Sequence, residues 1–71
     1  MNANKLRGKI AERGMTVGAF CESVAINRSS FDRKMAGQHE FTRSEIKRIV
    51  DFLNLSPEET MSVFFAEEVT Q

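Results

Sequence analysis

Cys21 to Gly37 reads CESVAINRSSFDRKMAG, and this stretch decides the fold. Leading into it, Val17, Phe20, Cys21 and Val24 fall at i, i+3, i+4 and i+7. That is the spacing of one buried helix face, with Thr16 placed to cap the first turn. Ala25-Ile26-Asn27 interrupts the pattern. Phe31 and Met35, four apart, then mark a further helix, closed by Gly37, a residue that takes a left-handed backbone readily. Asn27 suits the cap of that helix, and Ile26 with Phe31 has the spacing of a hydrophobic staple around it. A staple fixes the direction in which a helix leaves a turn, so Arg28 and Ser29 are expected to be aimed outward.

The same period extends to both sides. Leu6 and Ile10 mark a first helix that stops near Gly14; Ile46, Ile49, Val50 and Leu53 mark a fourth, and Met61, Phe64 and Phe65 a fifth. No segment alternates with the period of a strand. Thr42-Arg43-Ser44-Glu45 spells a capping box with Phe41 and Ile46 as its staple. Ser56-Pro57-Glu58-Glu59 spells a second, with proline at the first helical position. The expected fold is all-α, five short helices in a single domain over residues 1–71. The helix pair is expected at about 16–36 and the C-terminal helix at about 57–66, followed by a short acidic tail.

With 71 residues there is material for one core, and a chain of this size buries only roughly 60% of its unfolded surface. Hydrophobic residues at 41% and charged residues at 28% place the chain among folded rather than disordered sequences. A single cysteine excludes an internal disulfide framework and fits a reducing compartment. The start, MNANKLRGK, lacks the apolar run of a signal peptide, and the longest wholly apolar run, Val63 to Ala66, is far too short for a membrane span. A soluble cytoplasmic domain is therefore expected. The zero net charge conceals a split. Residues 1–39 carry seven Lys/Arg against three acids, a net of +4; residues 40–71 carry three against seven, a net of −4. A basic end of this kind suits nucleic acid, although a solvated mixed surface accounts for the composition equally well.

Two helices joined by so short a turn, the second opening on a polar face, have the helix-turn-helix arrangement. Met15 to Gly37 resembles the Cro/repressor-type (XRE-like) helix-turn-helix family of bacterial and phage regulators, with Thr16, Phe20, Cys21, Ile26, Phe31 and Gly37 following its pattern. The resemblance extends from Lys5 to Phe65, including FTRSEIKRIVDFLNLSPEE. It is nearest to short phage-encoded regulators in which a phrase like FDRKMAG ends the third helix and EFT opens the next.

The resemblance implies that the third helix enters the major groove. Carried over residue by residue, it makes Asn27, Arg28, Ser29, Asp32 and Arg33 the base-reading positions. Arginine can read guanine through paired hydrogen bonds, asparagine suits adenine, and aspartate accepts from cytosine. Thr16, Ser30, Lys34 and Arg43 fall at positions for phosphate contacts, which orient a protein without reading sequence. For Ser30 and Lys34 taken singly, an ordinary solvated side chain is the competing reading. Several residues depart from the family's pattern. Val17 replaces the polar residue, often Gln, that touches a phosphate, and Ala25 replaces the turn glycine. Cys21 stands where a small Ala lets the helices approach, and Ile10 and Met35 stand where relatives bury an Arg–Glu pair. Replacing a buried ion pair by two apolar side chains is often neutral or stabilising.

Chemistry of other kinds finds little support. His39 lies in the Gly37-Gln38-His39-Glu40 loop without metal-ligand spacing, Cys21 sits on an apolar helix face, and neither a phosphate-binding glycine loop nor a catalytic triad is present. No enzyme activity, cofactor, metal or small-molecule substrate is expected. The adjacent Phe64 and Phe65 point about 100° apart on a helix. Both can close the core, or, with Met61 and Val63, they can form a partner contact. In the resembled family the fifth helix often carries dimer contacts, which implies a homodimer on a two-fold DNA operator. Two readings compete: a phage-type transcriptional regulator on duplex DNA, in a lysis/lysogeny-type switch, and a protein-binding modulator or antirepressor that pairs with a phage repressor.

Overall fold

The structure, a computed structural model, describes residues 1–65. Among the described residues five helices follow one another: α1 Ala3–Glu12, α2 Val17–Ser23, α3 Arg28–Met35, α4 Arg43–Leu53 and α5 Pro57–Phe64. The fold is all-α, with no strand among the described residues.

Each helix starts where a side chain satisfies backbone N–H groups that the helix itself leaves unpaired. Thr16 Oγ1 accepts from the Ala19 amide at 3.1 Å. Thr42 and Glu45 form a reciprocal capping box on α4, and Ser56 and Glu59 form another on α5 behind Pro57. Asn2 caps α1 through the Lys5 amide at 3.1 Å, a start that hydrophobic spacing alone did not reveal. Each such cap contributes on the order of 1 kcal/mol, which is a large share of a small domain's stability.

The core draws on every helix: Leu6 and Ile10, Phe20 and Cys21, Phe31 and Met35, Ile49 and Leu53, Val63 and Phe64, with Val24, Ile26 and Leu55 from the connections. Ile10 and Met35 are thus both core residues. Four edge-to-face contacts run in series through it, Phe52–Phe20–Phe31–Phe41–Phe64, with ring centroids 5.7–5.9 Å apart. This arrangement suits the ring quadrupoles and couples α4, α2, α3, the α3–α4 loop and α5.

Polar ties close the periphery. The Asn2 amide donates to the Val63 carbonyl at 2.7 Å, and Lys9 Nζ lies 2.5 Å from Glu59 Oε2, so α1 is fastened to both ends of α5. Arg13 Nη1 donates to the Phe52 carbonyl at 2.8 Å while its guanidinium sits 5.0 Å from the Phe52 ring centroid.

The C-terminal helix requires a correction. Val63 is completely buried and Phe64 is only 9% exposed, so neither is a surface contact for a partner. They face α1 and the aromatic series because the wide apolar face of α5 is turned inward. Met61, 58% exposed, and Phe65, 54% exposed, are the two that remain outside. α5 is described as far as Phe64, and the expected end at about 66 and the acidic tail lie outside the described residues.

Candidate nucleic-acid interface

The turn between α2 and α3 is built in two steps. At the end of α2 the Ile26 amide donates to the Cys21 carbonyl at 3.0 Å and the Ala25 amide to the Glu22 carbonyl at 3.3 Å. This paired closure requires a left-handed residue between helix and exit, and Ala25 takes that role with φ 57°. Among the described residues the other left-handed positions are Gly14, Gly37 and Asn54, residue types that tolerate the conformation. An alanine there costs roughly 1 kcal/mol relative to glycine, because its Cβ crowds the following carbonyl. Asn27 then starts α3: its Oδ1 accepts from the amides of Ser29 at 2.9 Å and Ser30 at 3.2 Å. Ile26 and Phe31, on either side of the cap, are both buried.

At 100° per residue, Arg28, Ser29, Asp32, Arg33 and Ala36 share one side of α3, opposite the side that carries Phe31. All five are exposed. Arg28 Nε lies 3.2 Å from Asp32 Oδ1, and both side chains are more than half exposed. A screened pair of this kind contributes about 0–1 kcal/mol, so it breaks readily for a better partner. The Arg28 guanidinium also reaches back over α2: a Cβ added at Gly18 would lie 3.8 Å from Nη1. Arg33 makes no ion pair among the described residues. Thr16 and Arg43 are exposed at the starts of α2 and α4, Ser30 is half-buried at the edge of the face, and Val17 packs partly against the core.

Two expected contacts change. Lys34 does not join this surface. Its Nζ lies 2.6 and 2.7 Å from the two oxygens of Glu45, with side-chain exposures of 13% and 14% for the pair. Lys34 follows Phe31 by three residues, which turns it toward α4 and away from the side of Arg33, so it is withdrawn from the phosphate set. Asn27 is half committed as well. Its carbonyl oxygen is taken by two backbone amides, leaving only Nδ2 to donate, and a bidentate pair with adenine needs both.

Arg48 has a role that its sequence neighbourhood does not disclose. From α4 its Nε donates to the Val24 carbonyl at 2.7 Å and its Nη2 approaches the Ala25 carbonyl at 3.5 Å. A basic residue in a run of mixed charge carries no local sign of a partner 24 positions away.

A short helix, a left-handed turn and a capped helix with a polar outer face define a helix-turn-helix DNA-binding domain. The family model for the Cro/C1-type HTH DNA-binding domain matches residues 5–65, and the chain belongs to that family. It is a DNA-binding transcription regulator by kind, in a family that is not enzymatic. Neither the search of curated proteins nor that of solved structures gave a match. No helix among the described residues is long and apolar enough to cross a membrane.

Proposed function

We propose that the chain is a phage-type transcriptional regulator that binds duplex DNA as a homodimer. In this reading α3 lies in the major groove; Arg28, Ser29, Asp32 and Arg33 read base edges, and Asn27 contributes at most one donor. Thr16, Ser30 and Arg43 contact phosphates, and Met61 with Phe65 forms the contact between copies. The observation that carries it is the exposed Arg28–Ser29–Asp32–Arg33 side of a helix whose start is fixed by the Asn27 cap. The basic balance of residues 1–39 supports it by drawing this end of the domain toward DNA. The likeness to short phage regulators supports a place in a lysis/lysogeny-type switch in the cytoplasm of a bacterial host.

Titration with duplex DNA at two salt concentrations tests this. Phosphate-driven binding weakens by roughly 0.9 log units per log unit of salt for each phosphate neutralised. The second reading, a modulator that pairs with a phage repressor, draws on the exposed Met61 and Phe65 and on the apolar Val17. Absence of DNA binding at low salt, together with tight binding to a repressor, selects it.

A further inference from the structure

The carbonyls of Val24 and Ala25 stand at the C-terminal end of α2, where a helix leaves unpaired acceptors and a negative partial charge. Among the described residues no backbone N–H outside the helices donates to either carbonyl. α2 has no basic residue in its own last turn. Arg48 reaches both from α4, at 2.7 Å to Val24 and 3.5 Å to Ala25. It therefore grips the same turn that Ala25 holds in a left-handed conformation unfavourable for a side chain bearing a Cβ. Two residues later Asn27 launches α3, so any relaxation of φ at Ala25 swings the whole outer face of that helix.

We propose that Arg48 is a positioning residue for DNA recognition, holding the left-handed Ala25 turn and through it the direction of α3, without itself touching DNA. This rests on α3 being the DNA-facing helix. It also makes a specific claim about position 25: Arg48 compensates there for the missing glycine, so the two residues are thermodynamically coupled. With glycine in place of Ala25 the turn adopts its shape unaided, and the clamp becomes dispensable.

The test compares wild type, Arg48→Ala, Ala25→Gly and the double variant, using a duplex that wild-type protein enriches from a randomised pool. Folding of each is checked by circular dichroism at the temperature of the titration. Arg48→Ala should raise Kd on the order of tenfold, the loss expected when a charge-assisted hydrogen bond no longer orders the binding face. The salt slope should stay at the wild-type value, and Ala25→Gly should restore most of the affinity in the double variant. Amide exchange at Ser29 and Ser30 should quicken in Arg48→Ala and slow again in the double variant. A salt slope lower by about one would make Arg48 a phosphate contact and overturn the proposal. Unchanged affinity and exchange, or a loss that Ala25→Gly does not repair, would overturn it too. If Arg48→Ala alone fails to fold, the double variant decides: it must fold and bind with the wild-type slope, and its failure to fold sinks the proposal. Should wild type bind no duplex, the DNA-facing reading of α3 fails by itself, and the exchange comparison still reports on the clamp.

Discussion

Lys34 on α3 and Glu45 on α4 form a nearly enclosed ion pair in which both carboxylate oxygens meet the same ammonium, at 2.6 and 2.7 Å. Glu45 Oε1 also accepts from the Thr42 amide at 2.8 Å, so one carboxylate serves the α4 cap and the α3–α4 joint together. Burial pushes the Glu45 carboxyl up, and the Lys34 and Thr42 hydrogen bonds more than reverse this, leaving it below its ordinary value. Removing Lys34 would strand a charge with little access to water. Lys34→Ala should therefore destabilise the domain by about 2–3 kcal/mol, between the effects for exposed and fully buried pairs. Urea unfolding measures this, and a loss under about 0.5 kcal/mol would mean that the pair is solvated in practice.

A second carboxylate gives a pH signature. The Lys9 ammonium and the Ser56 amide hold Glu59 down to about 2, from an ordinary 4.5. A carboxyl depressed by folding stabilises the native state above its unfolded value and loses that contribution as pH falls through the folded one. Stability should thus decline between pH 4.5 and about 2, with Glu45 adding to the trend. Glu59→Gln should flatten the decline without abolishing it. Urea midpoints measured at half-unit intervals over this range check the difference, and parallel curves for the two proteins would refute the assignment.

What the sequence discloses is largely local. Thr16, Asn27, Thr42 and Ser56 each act on amides two or three residues ahead, so their roles follow from spacing alone. That Ala25 occupies a turn position usually held by glycine follows from the family resemblance and not from spacing, since an alanine carries no local sign of a left-handed backbone. Lys34–Glu45, Lys9–Glu59 and Arg48–Val24 join positions 11, 50 and 24 residues apart, and nothing in a run of charges says which helix will face it. Lys34 is the partial exception. Its place three residues after Phe31 puts it toward the inward side of α3, about 100° away from Arg33. Val63 was obscured by neighbours: in MSVFF nearly every residue is apolar, so the period alone cannot tell inside from outside.

The two arginines of α3 should behave differently. Arg28 is steadied by Asp32 and reaches over α2, whereas Arg33 projects without an ionic partner among the described residues. If Arg28 reads a base, Arg28→Ala should cost roughly 1–3 kcal/mol and relax preference at one base pair. Asp32→Asn should change preference at the base pair that Asp32 itself reads, and Arg33→Ala should affect a different one from Arg28→Ala. Selection from a randomised duplex pool with each variant resolves this. An enriched sequence identical to the wild-type one for Arg28→Ala would remove Arg28 from the base-reading set.

Phe65 offers the sharpest test of assembly, because its partner in the pair, Phe64, is already spent on the core. Phe64 packs edge-to-face on Phe41 at 5.7 Å, whereas Phe65 leaves more than half of its surface in water beside the exposed Met61. Phe65 closes α5 through its backbone N–H, which donates to the Met61 carbonyl at 3.0 Å and survives a side-chain change. Replacing an exposed side chain usually alters stability by no more than about 0.5 kcal/mol. Phe65→Ser should accordingly leave the unfolding midpoint almost unmoved while weakening self-association, and Met61→Ser should act in the same direction. Because two-fold binding doubles the phosphate contacts, the salt slope on a full operator should fall along with the dimer population. Sedimentation velocity across a concentration series reads the first effect and titration the second. Wild-type protein that stays monomeric at the highest concentration, yet binds DNA with an undiminished slope, would remove the homodimer from the proposal and leave α3 acting singly.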